Sequence, residues 1–404
     1  MRTRTVVALA AALSLTAAAP AAADSISYVK DGNVWIANPD GTGQYQVTTN
    51  ATAERPYRSP SQADDGTIVA SHGEEIVRLR QNNQELSRFN PPATTDSAGQ
   101  PIDGVPQDIS VSPDGAKIAF SYYQFNCPVG VSCGSRFVLL YSSSSAATPV
   151  AQNGKLFRRN ASWLSNDRIL AFNGYGSQVN VDSPGGGDDD DQHWFDDEHL
   201  HSPSTDLGDG ELSPQGDRLV TLRNYGEDLH LQFYAVSGSV QGGPPPAAPA
   251  EACASGADAT LDNPTWAPDG RSVAFALGTG IEVLPLPNVE PGLCNGAGSS
   301  RLVLPGGSEP DWGPAPVNPG ERVDQGGTGT GTPPAARACK RLKGVKRDRC
   351  VRRAALAKCR SVGVKRKRTK CVKKAKRAFA LKGCARRPKA ARARCVKQVK
   401  RTLR

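Results

Sequence analysis

Long apolar segments are scarce in this 404-residue sequence. Beyond the run at residues 6–19, no stretch approaches the roughly 18 apolar residues that a membrane-spanning helix requires. The 10 cysteines include no Cys-x-x-Cys spacing, which argues against a zinc site. These absences exclude a multispan membrane protein and disfavour a zinc-stabilised fold.

Catalytic signals are equally few. Gly130-Val131-Ser132-Cys133-Gly134 matches the G-x-S-x-G pattern of serine hydrolases. That nucleophile needs a strand leading into a helix, whereas this copy lies in a Cys-flanked loop between two strand-like segments. We therefore predict no catalytic residues and no enzyme activity.

A short turn motif recurs along the chain, as Ser112-Pro113-Asp114-Gly115, Ser213-Pro214-Gln215-Gly216 and Trp266-Ala267-Pro268-Asp269-Gly270. Degenerate copies of the motif lie at 65–66 and 163–167. A short apolar strand follows each copy, and the copies start roughly every 50 residues, which is typical of propeller blades. Pro presets φ and Gly accepts a positive φ, so each copy predicts a tight turn between two strands. The sequence therefore predicts an all-β repeat protein.

The number of copies predicts a six-bladed β-propeller. Strands before the turn number six if Glu309 to Gly313 form the last one. This C-terminal strand is expected to complete the blade begun by residues 26–47 and to close the ring, because closure protects edges that would otherwise pair with other chains. The strands after the turn lie near Ile26, Ile68, Ile118, Ile169, Leu219 and Val273.

Residues 26–43 read Ile-Ser-Tyr-Val-Lys-Asp-Gly-Asn-Val-Trp-Ile-Ala-Asn-Pro-Asp-Gly-Thr-Gly and lead to Val47-Thr48. This segment resembles the WD40-like (PD40-like) repeat of TolB-type β-propellers, and the resemblance covers about residues 26–315. It implies a propeller fold. TolB carries an α/β domain before its propeller, whereas this propeller follows the leader directly, so the fold is implied and the Tol-Pal role is not.

Aromatic residues and histidines within the blades have structural interpretations. Trp35, Trp163, Trp266 and Trp312 recur at blade positions, which favours packing between blades over a ligand cage. His72 and His230 belong to predicted strands and are expected to be structural.

The N-terminus has the pattern of an export leader. Arg2 and Arg4 precede the apolar run, and Ala21-Ala22-Ala23 before Asp24 fits the small-residue rule for cleavage. We expect residues 1–23 to be a bacterial-type signal peptide, and the mature protein to be secreted or associated with the cell envelope.

Export makes disulfides the expected state of the cysteines. Cys127 and Cys133 flank a short loop between two strands, where a bridge would close a hairpin tip. Cys253 and Cys294 lie in Pro- and Gly-rich connections on either side of the strands of blade six, and are expected to pair with each other.

The C-terminal end differs from the rest of the chain in charge. After a Gly-, Thr- and Pro-rich linker at 319–334, residues 335–404 contain 30 Lys and Arg against one acidic residue, Asp348, which gives a formal charge of +29. The mature chain before this tail has a formal charge of −21. We predict an acidic propeller at 24–318 joined to a cationic tail.

Six cysteines in the tail suggest local structure. They fall into pairs about eleven residues apart, with Gly344, Gly363 or Pro388 between the members of a pair. Two cysteines at that spacing on one helix would stand about 16 Å apart, too far for a disulfide, so the chain must turn back between them. We predict three helix-turn-helix clasps, and a disordered basic tail is the alternative. The pairs are Cys339 and Cys350, Cys359 and Cys371, and Cys384 and Cys395.

The tail is expected to bind an anionic polymer of the cell envelope or another polyanion, because dense positive charge releases counterions from such polymers. Its single aromatic residue, Phe379, provides no base-stacking platform, and we expect no sequence-specific nucleic-acid binding. The candidate contact residues are Lys365, Arg366, Lys367, Arg368, Lys373, Lys374, Arg386 and Arg387.

An acidic, His-rich segment at residues 188–201 is predicted to connect blades four and five. Its side chains include oxygen and nitrogen ligands suited to calcium or a transition metal, but four consecutive Asp do not follow the alternate spacing of a calcium loop. We expect no cofactor and interpret the segment as a solvated acidic loop or a docking strip for the tail, with a metal site as the alternative. Its candidate ligands are Asp188, Asp190, His193, Asp197, His199 and His201.

These patterns favour a secreted or cell-surface binding protein. The propeller is expected to present a protein or glycan ligand site, while the tail retains it on anionic envelope polymers. The alternative is a metal-dependent extracellular enzyme, with its site at the propeller centre or in the acidic segment.

Overall fold

A computed structural model describes residues 24–96, 99–126, 134–146, 155–156, 158–173, 178–184, 192–196 and 207–323. They form six four-stranded antiparallel sheets, which are the blades of a propeller. Blade one comprises β26 (Ser308–Gly313), β1 (Ser25–Lys30), β2 (Asn33–Ala37) and β3 (Tyr45–Gln46), and blade two comprises β4 (Tyr57–Gln62), β5 (Ile68–His72), β6 (Glu75–Leu79) and β7 (Glu85–Phe89).

The other four blades repeat this order along the chain. Blade three comprises β10 (Gln107–Val111), β11 (Lys117–Asn126), β12 (Gly134–Ser143) and β13 (Lys155–Leu156), and blade four comprises β14 (Arg158–Ser165), β15 (Arg168–Asn173), β16 (Gln178–Asp182) and β17 (Gln192–Asp196). Blade five comprises β18 (Leu207–Leu212), β19 (Arg218–Arg223), β20 (His230–Ala235) and β21 (Ala250–Ala254), and blade six comprises β22 (Asp262–Trp266), β23 (Ser272–Leu277), β24 (Gly280–Pro285) and β25 (Arg301–Pro305). A two-stranded ribbon of β8 (Thr94–Thr95) and β9 (Pro101–Ile102) lies between blades two and three in the sequence.

The predicted six blades and the predicted closure are confirmed. β26 pairs antiparallel with β1, and Ser25 lies opposite Gly313. The first strands of consecutive blades, including β26 and β4, contact one another around the ring. These first strands therefore surround the central axis.

The recurring turn motif forms the predicted hairpins. In blade three, the N–H of Gly115 donates to the carbonyl of Ser112 at 2.8 Å, and Gly115 has φ of +70°. Gly216 and Gly270 make the equivalent bond in blades five and six, also with positive φ. Each turn joins the first strand of its blade to the second.

The apolar core of the described residues is divided into six clusters, each between two consecutive blades. Ile118 and Phe120 on β11 pack toward blade two, whereas Ala119 between them packs toward blade four. This alternation follows from the two-residue period of a strand. Burial of both faces of each blade explains why the strands after the turns are apolar at consecutive positions.

Part of the acidic, His-rich segment is a strand, which corrects its interpretation as a connection between blades. Residues 192–196 form β17, the outermost strand of blade four, paired with β16. Trp194 and Phe195 are buried, and the ring of Phe195 packs 5.4 Å from that of Tyr234 in blade five. Burial of these two rings explains why a segment flanked by acidic residues forms a strand.

Cys253 and Cys294, whose pairing the sequence suggested, form a disulfide, with their Cα atoms 5.8 Å apart. β11 and β12 pair antiparallel, as the sequence predicted, while residues 130–133 of the G-x-S-x-G segment lie outside the described residues. Cys127 and Cys133 lie outside the described residues, as do the predicted signal peptide, the remainder of the linker and the whole basic tail with its six cysteines and its candidate polyanion-binding residues.

Residues 314–323, here called the strap, lie against blades one and two. The side chain of Gln81 donates to the carbonyl of Pro316 at 3.0 Å and accepts from the N–H of Asn318 at 2.6 Å. The N–H of Val323 donates to the carbonyl of Asn82 at 2.8 Å. The described contacts with the blades thus extend to Val323, past residue 319, where composition placed the start of the linker.

No helix among the described residues has the length and hydropathy to cross a membrane. The one described helical element is a short 3-10 turn, Gly226–Asp228.

Candidate functional site

The first strand of every blade carries an irregularity at the same place. In each of the six, the register with the second strand shifts, and one residue that is not glycine has a positive φ between 32° and 51°. Such bulges re-aim side chains. The six residues form what we call the bulge ring, consisting of Glu309, Ser59, Asp108, Asn160, Asp209 and Asn263 in the order of blades one to six.

Acidic and neutral residues alternate around the bulge ring. Glu309, Asp108 and Asp209 belong to blades one, three and five, and the blades between them carry Ser or Asn. Asn and Asp tolerate a positive φ better than other side chains. Holding Ser and Glu there costs of order 1–3 kcal/mol each, so the surrounding contacts must stabilise this geometry.

A second ring of polar residues lies two positions further along each first strand. Two of its members, Asp311 in blade one and Glu211 in blade five, are acidic. This second ring consists of Asp311, Ser61, Ser110, Ser162, Glu211 and Thr265 in the order of blades one to six.

Several ring side chains bind the backbone of the following blade. The Ser59 N–H donates to the Glu309 carboxylate, and the Asp108 N–H donates to the Ser59 hydroxyl at 3.1 Å. In the second ring, the Asp311 carboxylate accepts from the Gln62 N–H at 2.5 Å. These side chains accept hydrogen bonds from backbone N–H groups on the inner edge of the first strands. That edge of each sheet has no neighbouring strand of its own to pair with.

The same pattern continues at blades two, five and six. The Ser61 hydroxyl accepts from the Val111 N–H at 3.0 Å. The Thr265 hydroxyl accepts from the Trp312 N–H at 3.1 Å. Glu211 accepts from the N–H of Trp266 at 3.3 Å.

Two of the blade tryptophans bind the preceding blade, as the sequence suggested. Trp163 donates its indole N–H to the Ser110 carbonyl at 2.9 Å. Trp266 donates to the Glu211 carbonyl at 3.0 Å. Trp35 differs, because it lies on β2 and donates to Lys30 of its own blade at 3.1 Å. Trp35 is therefore not equivalent to the other tryptophans.

The first strands enclose a central channel with a volume of about 460 Å³. Both rings contribute to its wall, and the described residues of its lining include no Lys, Arg or His. The six acidic side chains of the lining are Asp64, Asp108, Asp209, Glu211, Glu309 and Asp311.

Burial in the channel wall shifts the carboxyl groups of the second ring toward the protonated form. Burial, aided by the nearby Asp311, raises the pKa of Glu211 to about 8, against hydrogen bonds from Thr265 and Trp266 that favour the carboxylate. Burial also raises the pKa of Asp311 to about 7, against the N–H of Gln62. Desolvation therefore outweighs the hydrogen bonds at both positions.

The acids of the bulge ring are shifted in the same direction. Burial raises the pKa of Asp108, although the Tyr123 hydroxyl and the charge of Arg159 favour its carboxylate. Burial raises the pKa of Asp209 well above its usual value, and repulsion from Asp108 adds to the effect. The one described ion pair to the ring joins Arg58 to Glu309 at 3.2 Å. Arg159 and Arg58 together leave most of the negative charge of the acidic ring side chains without a positive partner.

Chemically, this arrangement provides carboxyl acceptors of variable protonation in a narrow, polar channel. Such a site suits an ammonium or guanidinium group, which supplies the positive charge that the described wall lacks. Among the described residues, no group of three or more His, Cys, Asp or Glu side chains has an arrangement that could hold a metal ion.

His193, the one described candidate among the metal ligands considered from the sequence, does not line this channel. His193 lies exposed on β17, 3.6 Å from the carboxylate of Asp196. The other five candidates, Asp188, Asp190, Asp197, His199 and His201, lie outside the described residues.

The residues of the two rings were missed in the sequence, although they leave a signal. Each turn is preceded by two polar residues separated by one residue of any type, as in Asp108-Ile109-Ser110 and Asp209-Gly210-Glu211. The acidic members occur in only some copies. Aligning the five copies on their turns, together with Glu309-Pro310-Asp311 of the closing strand, would have revealed both rings.

No protein-family model matches the sequence, and no curated protein is similar to it. Similar solved structures include a putative TolB from Agrobacterium tumefaciens, with 15% identity over 71% of this chain and 91% of that chain and a TM-score of 0.39. An oligogalacturonate lyase in complex with manganese has 10% identity over 68% of this chain and 70% of that chain, with a TM-score of 0.41. The β-propeller domain of Myceliophteria thermophila Cps50 (Swd1) has 11% identity over 69% and 82%, with a TM-score of 0.41. Similarity at this level concerns the fold alone.

Proposed function

We propose that this protein is a binding protein whose central channel receives a Lys- or Arg-bearing segment of a protein ligand. The observation that carries the proposal is the channel itself, with six acidic side chains and no basic side chain in its lining. Protein and glycan ligands were both open from the sequence. The channel favours a basic protein segment, because an uncharged sugar supplies hydrogen bonds but no positive charge to balance the acidic lining.

The volume of the channel is consistent with this ligand. At about 460 Å³ it falls in the usual range for ligand sites. The channel is too narrow for a folded domain, so the ligand enters with a side chain or a short extended segment. The proposal assigns no reaction to the propeller.

Location and retention form the second part of the proposal. The leader-like N-terminus and the Cys253–Cys294 disulfide support an exported protein, since disulfides persist outside the cytosol. We propose that the +29 tail holds the protein on anionic envelope polymers. Such retention should weaken by orders of magnitude between about 50 and 200 mM salt, and deletion of 335–404 should abolish it in a co-sedimentation assay.

Calorimetric titration with a tetralysine peptide tests the ligand class. The full-length protein should bind tetralysine, and should bind its Nε-acetylated form at least tenfold more weakly, because acetylation removes the positive charge. Equal affinity for the two peptides would contradict the proposal.

A matched pair of variants locates the binding. Asp64 lines the channel and is exposed, and none of the described hydrogen bonds involves its side chain. Asp64→Asn should therefore weaken tetralysine binding about two- to fivefold. Asp228, exposed in the 3-10 turn, is absent from the channel lining, and Asp228→Asn makes the same change of charge. Equal effects of the two variants would place binding elsewhere on the acidic surface.

A further inference from the structure

Two side chains of the second ring, Glu211 and Thr265, are hydrogen-bonded to each other, and Thr265 also bonds the backbone of β26 beside Asp311. The Thr265 hydroxyl accepts the Trp312 N–H at 3.1 Å, which leaves its own proton to donate to Glu211, with which it is hydrogen-bonded. Asp311, next to Trp312 in β26, acts electrostatically on Glu211. The two carboxyls thus belong to one cluster centred on Thr265.

The surroundings of this cluster contain no positive charge among the described groups that act on it. Glu211 is faced by Thr265 and Trp266 from β22, by Asp311 from β26 and by Asp209 from its own strand. Asp311 is faced by the Gln62 N–H from β4, and its register partner on β1 is Ser27. Every ionisable group acting on the pair is therefore acidic.

A backbone N–H or a hydroxyl is a weaker partner for a carboxylate than a charged donor. Two carboxylates in one buried cluster also repel each other, as two carboxyls that share a site do. When no ligand is bound, a retained proton neutralises one carboxylate, which relieves both the weak partnering and the repulsion. A cation that enters the channel relieves them in the same way and takes the place of the proton.

We propose that the channel exchanges a proton for its cationic ligand, with Glu211 and Asp311 as the groups that release the proton to solvent when an ammonium or guanidinium group reaches the second ring. This inference rests on the proposed function and adds the control of that site by pH. The pKa of Glu211, raised to about 8, and that of Asp311, raised to about 7, mean that the empty cluster carries protons at neutral pH.

Proton release makes affinity depend on pH. If one proton leaves for each ligand bound, affinity rises about tenfold for each unit of pH below the pKa of the empty site. The ligand is therefore captured in neutral to mildly alkaline surroundings and released on acidification. Because the pair is coupled, the release belongs to both carboxyls together.

Calorimetric titration of full-length protein with tetralysine, at pH 7 in two buffers of different ionisation enthalpy, measures the number of protons released. We expect about one proton, and an affinity near tenfold higher at pH 7 than at pH 6. Tetralysine binding without proton release would overturn the exchange and leave the proposed function standing. No binding at either pH would overturn both.

Variants assign the released proton. Glu211→Gln should reduce both the number of protons released and the dependence of affinity on pH, and Asp311→Asn should do the same. Each amide keeps an oxygen that accepts the N–H of Trp266 or Gln62. Asp64→Asn serves as the control, because it should weaken binding while proton release stays at the wild-type value. Wild-type proton release in both Glu211→Gln and Asp311→Asn would overturn the assignment.

Discussion

The carboxylate of Asp311 accepts a hydrogen bond from the backbone N–H of Gln62 at 2.5 Å. Asp311 lies on the last strand of the propeller, and Gln62 lies on the first strand of blade two. The Gln62 side chain in turn donates to Ser25 at 3.2 Å, on the strand that pairs with β26. β26 therefore closes blade one and also joins it to blade two. Asp311 contributes both to this closure and to the channel wall.

Glu211→Gln should reduce the pH dependence of stability. Burial and Asp311 raise the pKa of Glu211 from 4.5 to about 8. The unfolded chain releases this proton near pH 4.5, whereas the folded chain keeps it until about pH 8. Stability should therefore fall as pH rises through this window and level off above it. Calorimetric scans between pH 5 and 8 should show a smaller decline in Tm for the variant than for the wild type.

Glu54→Gln provides the control for this experiment, because Glu54 is exposed and is absent from the channel lining. It should retain the wild-type decline in Tm. Equal declines in Glu211→Gln and the wild type would contradict the assigned role of Glu211.

Thr265→Val should destabilise the ring. The Thr265 side chain is 3% exposed, and its hydroxyl serves the Trp312 N–H and Glu211. Valine has nearly the same shape but leaves both groups without this partner, at a cost of about 1–3 kcal/mol. Urea denaturation should show this loss for Thr265→Val and a smaller one for Thr265→Ser, which keeps the hydroxyl. A loss for Thr265→Val no larger than that for Thr265→Ser would contradict the assigned role of the hydroxyl.

Removal of the closing strand should destabilise the whole propeller. Deletion of residues 306–334 removes every β26–β1 pair and the buried Trp312 side chain. Loss of a buried Trp alone costs 3–5 kcal/mol, so Tm should fall by at least about 10 °C. Deletion of 335–404 should leave Tm nearly unchanged, and comparable losses in the two truncated proteins would contradict the assigned role of β26.

Gln81→Ala should loosen the strap. The Gln81 side chain, 7% exposed, holds the carbonyl of Pro316 and the N–H of Asn318. Its removal should increase hydrogen exchange at the Asn318 amide at least tenfold, since a lost buried hydrogen bond costs about 1–3 kcal/mol. Gln84→Ala, at an exposed position in the same turn, should leave that exchange unchanged. Slow exchange in Gln81→Ala would show that other contacts hold the strap.

The fold was largely predictable because the signal for a blade is local. Pro113 and Gly115 determine a turn within four residues, and the number of times this turn motif is repeated predicted the number of blades. β17 was missed because its neighbours are acidic, although Trp194 and Phe195 form the kind of apolar pair that a strand buries. In that segment, tertiary packing outweighed composition.

The channel was not predictable in the same way. Asp108 and Asp209 are about a hundred residues apart in the sequence, and each resembles an ordinary polar residue before a turn. Their shared environment exists only once six first strands surround one axis, and a raised pKa depends on that enclosure. A single copy of the repeat therefore carries no sign of the site.

The pairing of β26 with β1 also has a consequence for synthesis. A ribosome delivers Ser25 early and Trp312 only after the other five blades, so the inner edge of β1 waits unpaired throughout most of translation. An unpaired edge is where strands of other chains add. Until β26 has been synthesised, the inner edge of β1 is therefore open to such addition, and pairing with β26 closes it.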